Sequence, residues 1–423
     1  INDADNDAAV GAIDLLIAAR ADDRQLSDLA RDLAAVAADA PRLYELQDLV
    51  ARIALLAGQW QIAYEAADVS ARFNPTRIEP ARFAAEAKAN AGAWEEVIEL
   101  ARRWEQRSIS AGVDPLPAVL LRARARLAQN QASRTLALLR AYRQQMNDEP
   151  QQYAEVIAVY SEALLRRNSG AEALPLLEPL LAEQPFARRL YVQIVSGQWP
   201  DVQDAQAKLE LVGPMMISGE PAERVLLAKA WKQLEDRGAE PERFAELLAD
   251  AAAQLLASDE PASDGLFVET AMLGTTLLDP ADLQRLYERA LEINPDNPIA
   301  LNNLAMQLLD VGDPAALNRA LAHAEKVAAM DEHPAHAYFL DTLASVQVAR
   351  DELSAAARTL YEATQVDPRN PRWYAHLAEV QLAQDLRDAA ASNYREARRL
   401  ADSLRTIEPE TQAALERLEA EFQ

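Results

Sequence analysis

The sequence contains no cysteine. Disulfide staples, thiol nucleophiles and cysteine-held zinc are therefore outside its chemistry. Glycine is scarce, with 12 in 423 residues, and aromatic residues make up only 6%, although half of all residues are apolar. The apolar content therefore comes mostly from Ala and Leu, the best helix formers, and no run of β-branched residues reads as a strand. Long hydrophobic runs are missing too: no stretch approaches the ~18 residues of a membrane helix, so direct membrane insertion is not expected. Positive charge is in short supply. Five lysines and 37 arginines face 67 carboxylates, and the net charge of -25 opposes contact with phosphate backbones, so nucleic acid is not an expected partner. The arginine-over-lysine skew fits a GC-rich, bacterial genome. The chain opens Ile1-Asn2-Asp3, with neither an initiator Met nor a signal-peptide pattern, and reads as a mature or excised piece. Its compartment stays open between a bacterial periplasm or cell envelope and the cytoplasm.

A single core stops growing at about 250–300 residues, so a chain of this length divides into several domains or forms a solenoid. Internal repetition favours the solenoid. Leu340, Leu343, Ala344, Gln347, Ala356, Leu360, Ala363 and Pro368 recur 34 residues later as Tyr374, Leu377, Ala378, Gln381, Ala390, Tyr394, Ala397 and Asp402. Each unit reads as two helices. Apolar residues three and four apart bury one face of the first, and Ala356, Leu360 and Ala363 form the facing stripe of the second. The small residues let the two backbones approach closely, and Asp367-Pro368 or Asn294-Pro295 ends the second helix.

The order bulky, Leu, small, turn, Ala, aromatic, Ala, Pro resembles the tetratricopeptide repeat. Tyr287, Ala290 and Pro295 close one such unit, and Leu301, Leu304, Ala305, Leu308 and Gly312 open the next. From Leu301 to Leu340 the spacing is 39, an insertion expected to begin at Asp313-Pro314-Ala315. In the N-terminal half, Gly58-Gln59-Trp60 with Ala63, Ala67 and Pro75 is matched 34 residues on by Gly92-Ala93-Trp94 with Val97, Ala101 and Trp104. Asn130 and Asn168 then stand where those glycines stood. From Pro185 to Pro261 the pattern blurs, although Glu220 to Asp236 and Pro241 to Ser258 read as helices, and Glu408 to Phe422 reads as a closing polar helix. The resemblance implies an all-α fold, a right-handed α-α superhelix of about eleven helix pairs, each stabilised by stacking on its neighbours. The organisation expected is degenerate repeats over 1–212, an irregular helix pair over 213–262, regular repeats over 263–403 and a capping helix over 404–423. A coiled coil is the other architecture for such composition, and prolines and turn residues every 15 to 20 positions count against it.

Catalytic signatures are missing from the sequence: it has no phosphate loop, no G-x-S-x-G elbow and no dinucleotide fingerprint. Among 67 carboxylates, pairs at helical spacing arise by chance. Of the four histidines, His333 and His336 lie with Asp331 and Glu332 in the segment with metal-like composition, and the alternative for them is an inter-repeat turn with two exposed imidazoles. No metal, cofactor or catalytic residue is expected. Charge is uneven: Pro115 to Asn147 holds no acidic residue and six arginines, among them Arg122, Arg124 and Arg126, whereas residues 1–39 hold nine aspartates and three arginines. The basic island is a candidate docking patch for an acidic partner or another copy; the alternative is a helix face balanced by neighbouring repeats.

In solenoids of the resembled family the first helix of each pair lines the concave surface. Carried onto this register, the candidate partner-binding residues are Asn302, Asn303 and Met306, then Asp341, Thr342 and Ser345, then His376 and Glu379, beside Ala375. Asn303 stands where related repeats hydrogen-bond the backbone of an extended peptide. Val268 and Met272 occupy positions where a chaperone-tail clamp needs Lys and Asn, so that ligand is not expected. The function expected is a non-catalytic scaffold or adaptor for a peptide or protein partner. The phrases Leu-Asn-Asn-Leu-Ala and Leu-Asp-Thr-Leu-Ala look like those of bacterial repeat proteins of envelope and export assemblies. Two alternatives stay open, a subunit that self-associates through the solenoid and a regulatory repeat region of a larger enzyme.

Overall fold

The computed structural model describes residues 23–240, 243–258 and 262–422. The start of the chain, with the aspartates before Asp23, and Pro241 and Pro261 lie outside the described residues. Every regular element among those residues is a helix. The chain divides into two compact units, Ile1–Met215 and Met216–Gln423.

The first unit opens with α1 (Asp23–Asp39) and continues in pairs: α2 (Tyr44–Leu56) with α3 (Trp60–Phe73), and α4 (Glu79–Asn90) with α5 (Trp94–Ser110). Next come α6 (Leu116–Ala128) with α7 (Ala132–Leu139) and its short continuation α8 (Arg143–Asp148), then α9 (Ala154–Arg166) with the single turn α10 (Leu174–Leu177). The stretch where the sequence pattern blurs holds α11 (Pro185–Gln198) and α12 (Val202–Ile217), which sequence reading missed; the unit boundary falls near the end of α12. The second unit pairs α13 (Pro221–Glu235) with α14 (Phe244–Ala257), α15 (Asp264–Leu273) with α16 (Pro280–Ile293) and α17 (Pro298–Val311) with α18 (Pro314–Ala328). It ends with α19 (His336–Ala349) and α20 (Leu353–Val366), α21 (Pro371–Ala383) and α22 (Arg387–Ala401), and the closing helix α23 (Pro409–Phe422).

The small residues sit where close packing needs them. Ala344, Ala356, Ala378 and Ala390 are all buried at the crossings of their pairs. Proline occupies the first turn of α16, α17, α18 and α21, where its missing N–H costs no hydrogen bond. Within a pair the chain reverses through one left-handed residue: Gly58, Gly92, Asn130, Asn168, Gly312, Asp351 and Asp385 all have positive φ. After six of these seven, Gly312 excepted, the next amide reaches back five residues, as Ala93 N does to Lys88 O at 2.9 Å and Leu386 N to Gln381 O at 2.9 Å. This bond satisfies the last carbonyls of the first helix. The two asparagines thus do the work of the glycines they replace.

Polar ties recur with the same period. Thr359 Oγ1 donates to Gln347 Oε1 at 2.9 Å, and 34 residues on Asn393 Nδ2 donates to Gln381 Oε1 at 2.7 Å, each joining the two helices of one pair. The long repeat also resolves. Pro314 starts α18 six residues before the buried Ala320, whereas Leu353 starts α20 three before Ala356, so part of the insertion is an extra turn at the start of α18, capped by Asp313. The turn at 331–336 differs from expectation: His336 is buried and His333 packs against Phe339 at 4.9 Å, because α19 begins at His336 and turns that ring inward.

Candidate functional site

In the second unit α17 touches α19 directly and α21 touches α23, while α18 and α20 make no comparable contact. The partner-binding candidates named from the sequence lie on three of these helices, α17, α19 and α21.

Asn302, Asn303 and Met306 are half-buried on α17. Asn303 Nδ2 donates to Tyr287 Oη at 3.1 Å and its Oδ1 accepts from Asn302 Nδ2 at 3.1 Å, which fixes both amides. Asn302 Oδ1 has no partner among the described residues. Burial pushes the Tyr287 phenol above its ordinary value although the Asn303 contact pulls it down, so it stays a neutral acceptor.

On α19 and α21 the structure brings Asp341, Ser345, His376 and Glu379 around one cavity of about 310 Å³. Thr342 and Ala375 are buried in the packing around it. Asp341 is 4% exposed, and its carboxylate is shared by Arg372 and His376. Oδ2 accepts from Arg372 Nε at 2.9 Å, and Oδ1 lies 2.6 Å from His376 Nδ1. Burial opposes the charge on Asp341, but His376 and Arg372 outweigh it and hold the carboxyl below its ordinary range. For His376 burial likewise opposes the charge, and the hydrogen bond and charge of Asp341 overcome it, leaving the imidazole above its ordinary 6.5.

Residues that sequence reading missed join this cluster. Arg372 Nη1 and Nη2 reach Glu408 at 3.1 Å and Glu410 at 2.7 Å, Tyr338 Oη donates to Glu408 at 3.1 Å, and Arg417 Nε donates to Glu379 at 2.8 Å. Glu410 and Arg417 come from α23, so the closing helix contributes to the cavity it covers. The available signal was the charged pair around Pro409, just ahead of a helix.

Ser345 Oγ donates to Asp341 O at 2.9 Å, and no Ser345–His376 hydrogen bond occurs among the described residues, so serine, histidine and aspartate are not strung into a relay.

The basic island belongs to the first unit. Arg122 pairs with Glu105 at 2.8 Å and Arg124 with Glu155 at 2.9 Å, while Arg126 Nη1 donates to Arg134 O at 3.3 Å. Carboxylates of neighbouring helices thus meet two of these three charges.

Residues 286–317, from the second half of α16 through α17 to the first turn of α18, match the family model described as a tetratricopeptide repeat. Over that segment the chain carries a tetratricopeptide repeat. Among curated proteins, none matches it. Solved structures similar to this repeat protein include MamA residues 41-end from Desulfovibrio magneticus RS-1, 18% identical over 43% of this chain and 98% of that one, with a TM-score of 0.35. PilF of Pseudomonas aeruginosa is 15% identical over 48% of this chain and 84% of its own, with a TM-score of 0.36. The APC/C hetero-tetramer Cut9–Hcn1 is 12% identical over 89% and 96%, with a TM-score of 0.32. No helix among the described residues of the repeat protein is long and apolar enough to cross a membrane.

Proposed function

We propose that this repeat protein is a scaffold that holds an extended segment of a partner protein along the inner face of its second unit, on α17, α19 and α21. The observation that carries this reading is the convergence of Asp341, Ser345, His376 and Glu379 on one cavity beside the polar pair Asn302 and Asn303. Two adjacent amides suit an extended backbone, which offers donors and acceptors in alternation. Met306 and the exposed Met272 add unbranched, adaptable apolar surface.

Affinity purification from the native organism, with wild type beside a variant carrying Asn303→Ala and Met306→Glu, tests the proposal. The variant is expected to lose the proteins that wild type retains while keeping its helical circular dichroism. The same proteins on both baits would place binding elsewhere.

A further inference from the structure

The cavity lined by Asp341, His376 and Glu379 has both apolar and polar walls. We infer that it is a side-chain subsite, taking one aliphatic residue of an uncharged, extended partner segment while His376 Nε2 donates a hydrogen bond to that residue's backbone carbonyl. This rests on the groove reading above and adds the chemistry of one position in it.

Three observations carry the assignment. Val348, Leu353, Leu360 and Val380 line the cavity from three different helices, and its volume of about 310 Å³ accommodates an aliphatic side chain together with the peptide unit that bears it. The His376 ring is oriented before any ligand arrives. With Nδ1 2.6 Å from Asp341 Oδ1, Nε2 points away from that carboxylate, has no partner among the described residues and is not one of the buried orphan atoms, so solvent reaches it. Charge then limits the ligand: Asp341, Glu379 and Glu410 line the cavity against Arg417 and His376, which disfavours an acidic residue there.

The donor depends on pH. A charged imidazole carries N–H groups on both nitrogens; once neutral, it keeps the proton on Nδ1 beside Asp341, and Nε2 turns into an acceptor that no longer suits a carbonyl. The charged groups around the ring are Asp341 from α19, Arg372 and Glu379 from α21, and Glu410 and Arg417 from α23. From α20 come Leu353 and Leu360, which do not titrate.

The test is an NMR titration of the full chain with N-acetyl-leucine N-methylamide, read on the His376 ring and the Val348 and Val380 methyl groups. Saturable shifts are expected with a Kd on the order of 1 mM. The glycine analogue is expected to give none and the free acid N-acetyl-leucine to bind more weakly. His376→Ala, read on the valine methyls, is expected to weaken binding by about tenfold, with affinity falling as pH rises through the His376 pKa. His376→Gln keeps a polar group in the cavity and is expected to abolish the pH dependence. Equal shifts from the glycine analogue, no saturable shift of the methyls, or affinity indifferent to pH and to both variants would overturn the subsite. Partner loss by the Asn303 and Met306 variant together with failure of the leucine probe would leave the groove standing and remove the subsite alone.

Discussion

Gly92 has φ +74°, and nothing lies within 4 Å of the place a Cβ would take. Substitution there isolates the backbone conformation, because no side-chain clash accompanies it. Gly92→Ala is expected to destabilise the protein by about 1 kcal/mol, the cost of holding an L-residue in the left-handed region, and Gly92→Asn by clearly less. Urea unfolding of the three proteins gives the ordering directly. Asn130 and Asn168, with φ of 56° and 57°, already show asparagine tolerated at this turn. At the residue scale the sequence was informative where the backbone dictates identity: glycine and asparagine turn positions and small crossing residues stand at fixed offsets. Contact partners were not readable in this way. Glu408 meets Tyr338 across 70 positions and Arg372 across 36, separations set by how the closing helix seats on its neighbours.

Helices α19, α21 and α23 are tied by one electrostatic cluster, and its titration has a defined sign. Asp341 is held below its ordinary range, so its contribution is present above the unfolded pKa and is lost as pH falls through the folded value. His376 is held above 6.5, so its contribution is complete below that value and is lost as pH rises through the folded pKa. The seating of α23 is therefore expected to be firmest in the mildly acidic range. Amide hydrogen exchange in α23, corrected for the intrinsic pH dependence of exchange and followed from about pH 5 to about pH 9, checks this. Protection should fall on the alkaline side, and Asp341→Asn should flatten the profile and lower protection throughout, since it leaves Arg372 without its buried carboxylate. Pair existence was legible from the 34-residue period, whereas α11 and α12 were not, because α11 and its neighbours carry no glycine or asparagine turn at the repeating offset.

Within each unit, helix pairs lean on one another, as stacked repeats do. The net charge of -25 opposes contact with phosphate backbones, and an uncharged peptide meets no such opposition in the proposed groove. The chemistry offered there is placed amides, a pinned imidazole and apolar recesses, which suits retention of a partner. Hydrogen–deuterium exchange on the repeat protein, alone and with the partner that co-purifies with it, is the most direct measurement of that claim. New protection is expected on α17, α19 and α21, around Asn302 to Met306, Asp341 to Ser345 and His376 to Glu379. Protection confined to α18, α20 and α22, or to the first unit, would contradict it.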